Sequence, residues 1–261
     1  MSAARKILVK LGGTLLDEPA SRNRLAAELT AVSRRPGLRM TVVHGGGKQM
    51  TRFLAERGVE SKFVDGLRVT TPEVVDAVLK VFAGTVNHTL VAALVAAGSL
   101  PVGLTGIDAL LTEAEQWNPE LGAVGKPVRS NGALLDLLTA NGYLPVVACV
   151  AGDRQGNIYN VNADQMAASC AAGFGASELL FLTDVPGVMD AAKQIVPRLT
   201  RAASERLIVD GVATGGMQAK LEAAHRALEG GVAEVVIAPG AAPEIVARLL
   251  DGELAGTRLV R

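Results

Sequence analysis

The sequence contains few residues of the types that hold structural metals or form disulfides. Its only cysteines, Cys149 and Cys170, lie in apolar segments, and the three histidines show no His/Cys/Asp spacing typical of a zinc site. We therefore predict two buried, reduced thiols, no metal held by a dedicated protein site, and a cytoplasmic protein.

The chain also lacks an excess charge of either sign, because Lys and Arg number 26 together and so do Asp and Glu. Such a balance gives no overall field that favours nucleic acid or an anionic membrane, so we expect a small-molecule partner. The segment Thr89–Ile107 has no charge at all, but Gly98 and Pro101 interrupt it, which predicts a buried helix and a buried strand rather than a membrane span. A first strand near Lys6 leaves no room for a signal peptide before it.

Short apolar segments alternate with helical patterns along the whole chain, without an internal repeat. Predicted strands are Lys6–Lys10, Met40–Val43, Pro101–Leu104, Leu144–Ala148, Glu178–Leu182, Glu234–Ile237 and Thr257–Val260. Predicted helices include Ala20–Arg34, Pro72–Val81, Ala133–Ala140, Ala163–Ala172, Gly216–Leu228 and Pro243–Leu250. This alternation predicts an α/β protein, a three-layer αβα sandwich around a mainly parallel sheet, with flaps at Glu60–Thr71 and Leu111–Arg129.

A triple glycine follows the second predicted strand, in the stretch "VVHGGGKQM". Gln49 stands where a P-loop needs Ser or Thr, and Met50 stands where the dinucleotide fingerprint needs its third glycine, so both templates fail. A strand, glycines and a helix start near Lys48 remain, which together predict an anion site of unspecified type.

Polar residues collect where other strands end. Lys10 precedes Gly12 and Gly13, and "NVNADQ" precedes an apolar helix. Ligands of open α/β sheets bind at the carboxyl ends of the strands, so these groups are predicted to share one edge. Taken alone, the Asn and Asp residues are also typical of helix capping, and Lys220 of a solvated helix face.

The motifs "KLGG", "VVHGGGKQM", "DGLRVT", "FAGTVNH", "NGYLPVV", "NVNADQ", "LTDVPGV" and "GGMQAKLEAA" occur in an order that resembles the amino-acid kinase family. Each motif is weak alone, but the ordered set is specific and covers nearly the whole chain. Within the family, the resemblance is closest to the branch that phosphorylates the side-chain carboxylate of N-acetyl-L-glutamate with ATP. It implies the amino-acid kinase fold, ATP and Mg²⁺ as cofactors, and an acyl phosphate as product.

The resemblance also implies the role of individual residues. Lys10 and Lys220 would face the transferred phosphoryl group, with Asp164 orienting both. The remaining implied residues are Gly46, Gly47, Arg68 and Asn160 for the substrate, Gly12, Gly13 and Gly45 for phosphate, and Asp184, Val185, Pro186, Gly187, Val188, Met189, Val212, Ala213 and Thr214 for the nucleotide. Residues 1–174 would form a lobe with the substrate site and the dimer interface, and residues 175–261 a lobe with the ATP site.

A carboxylate nucleophile is already ionised at neutral pH, so we expect a structural hydrogen bond from His44 rather than acid/base catalysis. Alternatives are a kinase for a related carboxylate such as carrier-linked aminoadipate, and a non-catalytic amino-acid or nucleotide sensor. A C2 homodimer is expected, with the helix around Pro72–Leu94 in its interface. Arginine insensitivity is expected too, because only Met1–Arg5 precede the first strand, whereas arginine-inhibited relatives carry an additional N-terminal helix.

Overall fold

An eight-stranded sheet forms the centre of the computed structural model, which describes residues 4–260. Its strands, in chain order, are β1 Arg5–Leu11, β2 Leu38–His44, β5 Pro101–Thr105, β8 Leu144–Ala148, β11 Glu178–Thr183, β12 Arg198–Thr200, β13 Glu234–Pro239 and β14 Thr257–Val260. They lie in the order β12-β14-β13-β11-β1-β2-β8-β5, and every pairing is parallel except that of β13 with β14. The prediction of a mainly parallel sheet is confirmed.

Helices cover both faces of this sheet. They are α1 Pro19–Ser33, α2 Gly47–Ala55, α3 Pro72–Val78, α4 Asn87–Ala96, α5 Gly132–Ala140, α6 Ala163–Phe174, α7 Arg201–Val209, α8 Gly215–Glu229 and α9 Ile245–Leu250. On one face α1 packs against α4 and α9, and on the other α6 packs against α5 and α8. The middle strands are buried on both faces, which explains why β1, β2 and β8 are almost continuously apolar.

The two predicted flaps are hairpins that rise from the sheet and touch each other. The first contains β3 Phe63–Val64 and β4 Leu67–Arg68; the second contains β6 Thr112–Gln116 and β7 Val124–Ser130. With β9 Val150–Gly152 and β10 Ile158–Val161, the second hairpin closes into a small sheet. Thr70 joins the flaps, because its N–H donates to Leu121 and its carbonyl accepts from Ala123, both at 2.8 Å.

The helix predicted to end at Val81 continues to Ala96 through a π-helical segment, Leu79–Val86. Five of its buried residues are spaced four apart (Val78, Phe82, Val86, Leu90 and Leu94), a spacing wider than the 3.6 residues of an α-helical turn. Of the described helices this one is long and apolar enough to cross a membrane, with mean hydropathy 1.6. A core helix passes the same test, and here one side of the helix is packed inside the protein.

Most predicted elements are present with ends displaced by two residues at most, but two details differ. Thr89–Ile107 divides into a helix and a strand as predicted, yet β5 is only partly buried because it is the edge strand. The elements β12 and α7 were not predicted.

Cys149 and Cys170 are free and buried as expected, and burial raises the pKa of Cys149 to about 12. Met1–Ala3, on which the N-terminal expectations partly depend, lie outside the described residues.

Candidate active site

Two lysines from different parts of the fold meet at one buried carboxylate. Lys10 Nζ, at the end of β1, lies 2.6 Å from Asp164 Oδ1, and Lys220 Nζ, on α8, lies 3.2 Å from Asp164 Oδ2. The side chains of Lys10 and Asp164 are each 7% exposed and that of Lys220 is 16% exposed. Lys220 therefore does not lie on a solvated helix face.

Burial by itself would raise the pKa of Asp164, but the charges of Lys10 and Lys220 outweigh it and hold the pKa below its usual range. The carboxylate is thus ionised at neutral pH, and its one negative charge faces the two positive charges of the lysines. The cluster keeps a net positive charge in a site shielded from water, which suits a site for a more highly charged anion.

Helix capping explains how Asp164 reaches this position. Asn162 is the N-cap of α6, and its side-chain oxygen accepts hydrogen bonds from the N–H groups of Asp164 and Gln165 at 2.9 and 3.3 Å. The capping interpretation was therefore correct for Asn162 and wrong for Asp164. Because Asn162 satisfies the helix terminus, the carboxylate of Asp164 remains available to the lysines.

The two predicted glycine turns touch. A Cβ added to Gly13 would lie 3.2 Å from Gly47 N and 3.3 Å from Gly46 N, so any larger residue would crowd this approach and push the second turn away. The N–H of Gly12 donates to the Leu182 carbonyl and that of Gly45 to the Leu11 carbonyl, at 2.9 and 3.4 Å. Among the described residues, no hydrogen bond engages the N–H groups of Gly13, Gly46 and Gly47. These three amides are therefore available as backbone donors.

The glycine turns line a cavity of about 210 Å³, here called the inner cavity. Its wall includes Lys10, Gly46, Gly47, Arg68, Asn160 and Asp164. Arg68 and Asn160, which the sequence places far apart, are thus brought together. Asn160 lies on β10 and its Nδ2 donates to Thr70 Oγ1 at 3.0 Å, so the joined flaps hold it.

Arg68 is buried although it lies in the first flap. Its guanidinium donates to Thr51 Oγ1 at 2.8 Å, to the Gly47 carbonyl at 3.2 Å, and to Ser61 Oγ, and it lies 4.6 Å from the centre of the Phe63 ring. Three of its five N–H donors are used in this way, which fixes the plane of the group and leaves two donors. A fixed, partly unpaired guanidinium is suited to bind a carboxylate.

A second, larger cavity of about 820 Å³, here called the outer cavity, adjoins the first. Gly215, Gly216 and Lys220 of α8 line it on one side, and Trp117 of the second flap lines the other. Asp164 lines both cavities, with Lys10 in the inner one and Lys220 in the outer one. The Asp164 cluster is therefore the point at which groups bound in the two cavities would meet.

None of the nine predicted nucleotide residues lines these two cavities. Asp184–Met189 follow β11, and Val212–Thr214 lead into α8. Val188 and Ala213 are buried, and the Val188 N–H donates to Thr257 Oγ1 at 2.8 Å. The side chains at these two positions are packed inside the protein.

Several residues of the site were not predicted. Thr51 and Ser61 hold Arg68, Phe82 packs on Gly46, and Asn87 contacts His44. The only signal for Asn87 was its place in "FAGTVNH"; Thr51 and Ser61 are polar residues in polar segments and gave none.

Among residues 4–260 no group of three or more His, Cys, Asp or Glu side chains could hold an ion. Asp164 is the only carboxylate of the lysine cluster. A single carboxylate fits Mg²⁺ that is bound mainly by substrate phosphates and water.

Comparison with known proteins agrees with this geometry. The sequence pattern of the amino acid kinase family matches residues 5–239. An acetylglutamate kinase from Solibacter usitatus is 65% identical over 255 residues, which cover 98% of this chain and 99% of that protein. An acetylglutamate kinase from Koribacter versatilis is 40% identical, with 98% of each chain covered.

Solved structures share the fold. N-acetylglutamate synthase from Neisseria gonorrhoeae, with coenzyme A and N-acetyl-glutamate, superposes with a TM-score of 0.86 at 25% identity; the match covers 98% of this chain and 59% of the synthase. The protein smu.665 from Streptococcus mutans gives 0.81 at 24% identity, with 98% of both chains covered. The chain belongs to the amino acid kinase family and is similar over nearly its full length to the acetylglutamate kinases.

Proposed function

We infer that this protein phosphorylates the side-chain carboxylate of N-acetyl-L-glutamate with ATP, which gives N-acetyl-L-glutamyl 5-phosphate and ADP, the second step of arginine biosynthesis. One observation carries the proposal: Asp164 lies where the two cavities join and holds Lys10 in one and Lys220 in the other. The 65% identity to an acetylglutamate kinase supports the identity of the substrate.

The reaction requires little proton chemistry. The attacking carboxylate is ionised at neutral pH, because its pKa is about 4. A bond forms between one carboxylate oxygen and the γ-phosphorus, the bond from that phosphorus to the oxygen that bridges to the β-phosphate breaks, and ADP leaves with the electron pair. No proton is transferred, so the protein has to position two anions and stabilise their combined charge.

The residues of the site are suited to that task. Lys10 and Lys220 would place positive charge on the phosphoryl group from the two cavities, and Asp164 would hold both ammonium groups in position. The unpaired amides of Gly13, Gly46 and Gly47 would donate to phosphoryl oxygens. Mg²⁺, when bound with the nucleotide, supplies further positive charge to the β- and γ-phosphates.

Two groups of the inner cavity would recognise the amino-acid substrate. The remaining donors of Arg68 suit its α-carboxylate, and Asn160 suits the N-acetylamino end. The sensor alternative has no use for two lysines at the junction of the cavities. Carrier-linked aminoadipate would require a carrier protein's tail to be bound, and no observation favours such a partner.

The nucleotide would lie in the outer cavity and extend toward Asp184–Met189 and Val212–Thr214, the two loops predicted from the sequence. The substrate would then be bound by residues 1–174 and the nucleotide mainly by residues 175–261, with Trp117 on the opposite side of the outer cavity. Since Val188 and Ala213 are buried, the loops would contribute backbone groups and the exposed Asp184 and Thr214.

A homodimer would cover an exposed apolar edge. Val95, at the end of α4, is 57% exposed, and Leu100, next to edge strand β5, is 62% exposed. Both adjoin the predicted interface helix Pro72–Leu94. A C2 axis near β5 would therefore bury Val95, Leu100 and this helix on both protomers.

The test of function is formation of an acyl phosphate, trapped with hydroxylamine, from ATP and N-acetyl-L-glutamate, L-glutamate, L-aspartate or L-2-aminoadipate. N-acetyl-L-glutamate should be the preferred substrate, and free glutamate should be poor because it carries a cationic amine in place of the neutral amide. Equal turnover of these two would contradict the assignment, and turnover of none would contradict the activity.

A further inference from the structure

His44 is completely buried beside the glycine turn, and the reaction outlined above gives it no role. Its Nδ1 lies 2.9 Å from the Gly45 carbonyl oxygen, and its Nε2 lies 3.0 Å from Asn87 Nδ2. A buried ring with both nitrogens engaged has one fixed orientation. Whether it also fixes the glycine turn depends on which nitrogen carries the proton.

Asn87 settles the tautomer. Its Nδ2 also lies 2.9 Å from the Val146 carbonyl, and a carbonyl only accepts, so the amide nitrogen must face it. The second hydrogen on Nδ2 then points to His44 Nε2, which therefore accepts. Nδ1 carries the ring proton and donates to Gly45. Burial agrees with this neutral form, because it lowers the pKa of His44 to about 4.

The hydrogen bond to Gly45 determines the direction of the next amide. All peptide bonds of the described residues are trans, so the Gly45 C=O and the Gly46 N–H point in opposite directions. The carbonyl points toward the buried ring; the N–H therefore points away from it, where Gly46 lines the inner cavity with Lys10.

We propose that His44 is a positioning residue, whose hydrogen bond to the Gly45 carbonyl holds the Gly46 N–H toward the phosphoryl group during transfer. This role rests on the proposed function. A peptide between two glycines rotates at little steric cost, so a glycine-rich turn alone does not keep its donors aimed. His44 supplies the restraint that the glycines lack.

Neighbouring elements of the fold keep both His44 and the glycine turn in place. Asn87 directly follows the π-helical segment, and a Cβ on Gly103 of β5 would lie 2.3 Å from Asn87 Oδ1, so Gly103 leaves the space that Asn87 occupies. Phe82, from the same segment, packs on Gly46, where an added Cβ would lie 2.9 Å from Phe82 Cδ1. The turn is therefore fixed both by the ring of His44 and by Phe82.

Two substitutions at His44 separate positioning from simple packing. In His44→Asn the amide nitrogen can occupy the place of Nδ1 and donate to Gly45, whereas in His44→Gln it lies near Nε2 and cannot. We expect His44→Gln to lower kcat about 10- to 100-fold, with the KM for N-acetyl-L-glutamate changed by no more than about twofold, and His44→Asn to recover most of kcat.

Calorimetric binding gives a second readout. With MgADP and N-acetyl-L-glutamate present, the affinity for tetrafluoroaluminate, a mimic of the phosphoryl group in transfer, should fall by the same factor as kcat. The affinity for N-acetyl-L-glutamate alone should not change. Should His44→Gln fail to fold, His44→Leu, which fills a similar volume without any donor to the Gly45 carbonyl, should show the same loss of kcat at unchanged KM.

His225 provides the matched control, because it is also buried and its Nε2 lies 2.6 Å from Ser204 Oγ, away from the glycine turn. His225→Gln should lower the melting temperature without lowering kcat. An active wild-type enzyme whose His44→Gln variant loses only thermal stability would overturn the positioning role. A wild-type enzyme inactive on every carboxylate would overturn the proposed function itself.

Discussion

Lys10 Nζ and Asp164 Oδ1 lie 2.6 Å apart, and each of the two side chains is only 7% exposed. Removing one partner of such a pair leaves the other charge without compensation where water cannot replace it. The pair also brings the end of β1 against the start of α6, two elements that meet only in the folded chain. Substitutions here therefore test both the folding and the chemistry of the site.

Lys10→Ala and Lys220→Ala should each reduce kcat by about 10²-fold or more, the effect expected when one preorganised donor to the transferred group is lost. Steady-state kinetics with saturating ATP and N-acetyl-L-glutamate measure the change. Lys126→Ala is the control, because Lys126 pairs with Glu115 at the surface, with 49% of its side chain exposed. Normal kcat in Lys220→Ala would remove Lys220 from the catalytic group.

Arg68→Ala should raise the KM for N-acetyl-L-glutamate about 10- to 100-fold and lower kcat less, since a charged hydrogen bond to the substrate contributes about 1.5–3 kcal/mol. Arg57→Ala is a matched control: Arg57 also stacks on a phenylalanine, Phe53, at 3.5 Å, but lies at the surface. An equal rise of KM in both variants would show that Arg68 acts through the stability of the flap.

Gly13→Ala should lower kcat about tenfold or more, because its Cβ would push on the backbone of Gly46 and Gly47 and displace the donor amides. Gly84→Ala is the control, since a Cβ there meets its nearest atom, the Leu79 carbonyl oxygen, at an ordinary 3.5 Å. Unchanged kcat in Gly13→Ala would mean that the two glycine turns can separate without loss of the site.

The lowered pKa of His44 predicts a pH effect on stability. Its pKa is about 4 in the folded protein and 6.5 ordinarily, so between these values the unfolded chain binds the proton more readily. The free energy of unfolding should therefore fall as pH decreases from about 6.5 to about 4, by up to about 3 kcal/mol. Urea unfolding of wild type and His44→Gln across this range isolates the effect, because only wild type has this component. Plots of the free energy of unfolding against pH that run parallel for the two proteins would contradict this prediction.

The exposed edge beside β5 predicts a dimer in solution. Leu100→Glu should convert it to a monomer, because a C2 contact places the added charge in the interface twice. Val209→Glu is the matched control, as Val209 is 84% exposed on α7, far from this edge in the sheet order. Light scattering distinguishes the two states. A wild-type monomer, or a Leu100→Glu dimer, would contradict the proposed interface.

The convergence of Lys10, Asp164 and Lys220 was predictable for a physical reason. Parallel strands end at one edge of a sheet, and the helices that follow begin there, so polar residues at strand ends and helix starts are brought together. Hydrophobic periodicity predicted the strands whose ends form this edge. The family resemblance indicated which residues at the edge would face the phosphoryl group. The individual roles of these residues remain predictions.

Other features carry no local signal. The apolar residues of Leu79–Val86 suit an α-helix as well as a π-helical segment, and tertiary packing decides between them. The partners of Arg68 come from α2 and from the segment before β3, and nothing in either segment marks the contact. Burial of Val188 and Ala213 depends on how the loops fold back onto the sheet, which sequence periodicity does not describe.

The donor surface formed by Gly13, Gly46 and Gly47 consists of main-chain amides, which are kept in every substitution except one by proline. A side-chain contact to an inhibitor is lost through one substitution. At Gly13 and Gly46, by contrast, a substitution adds a Cβ that would lie 3.2 Å from Gly47 N and 2.9 Å from Phe82 Cδ1, so we expect it to displace the turn and impair the enzyme as well. We therefore expect compounds anchored on these amides to leave few routes to resistance, and compounds anchored on Trp117 or other flap side chains to leave many.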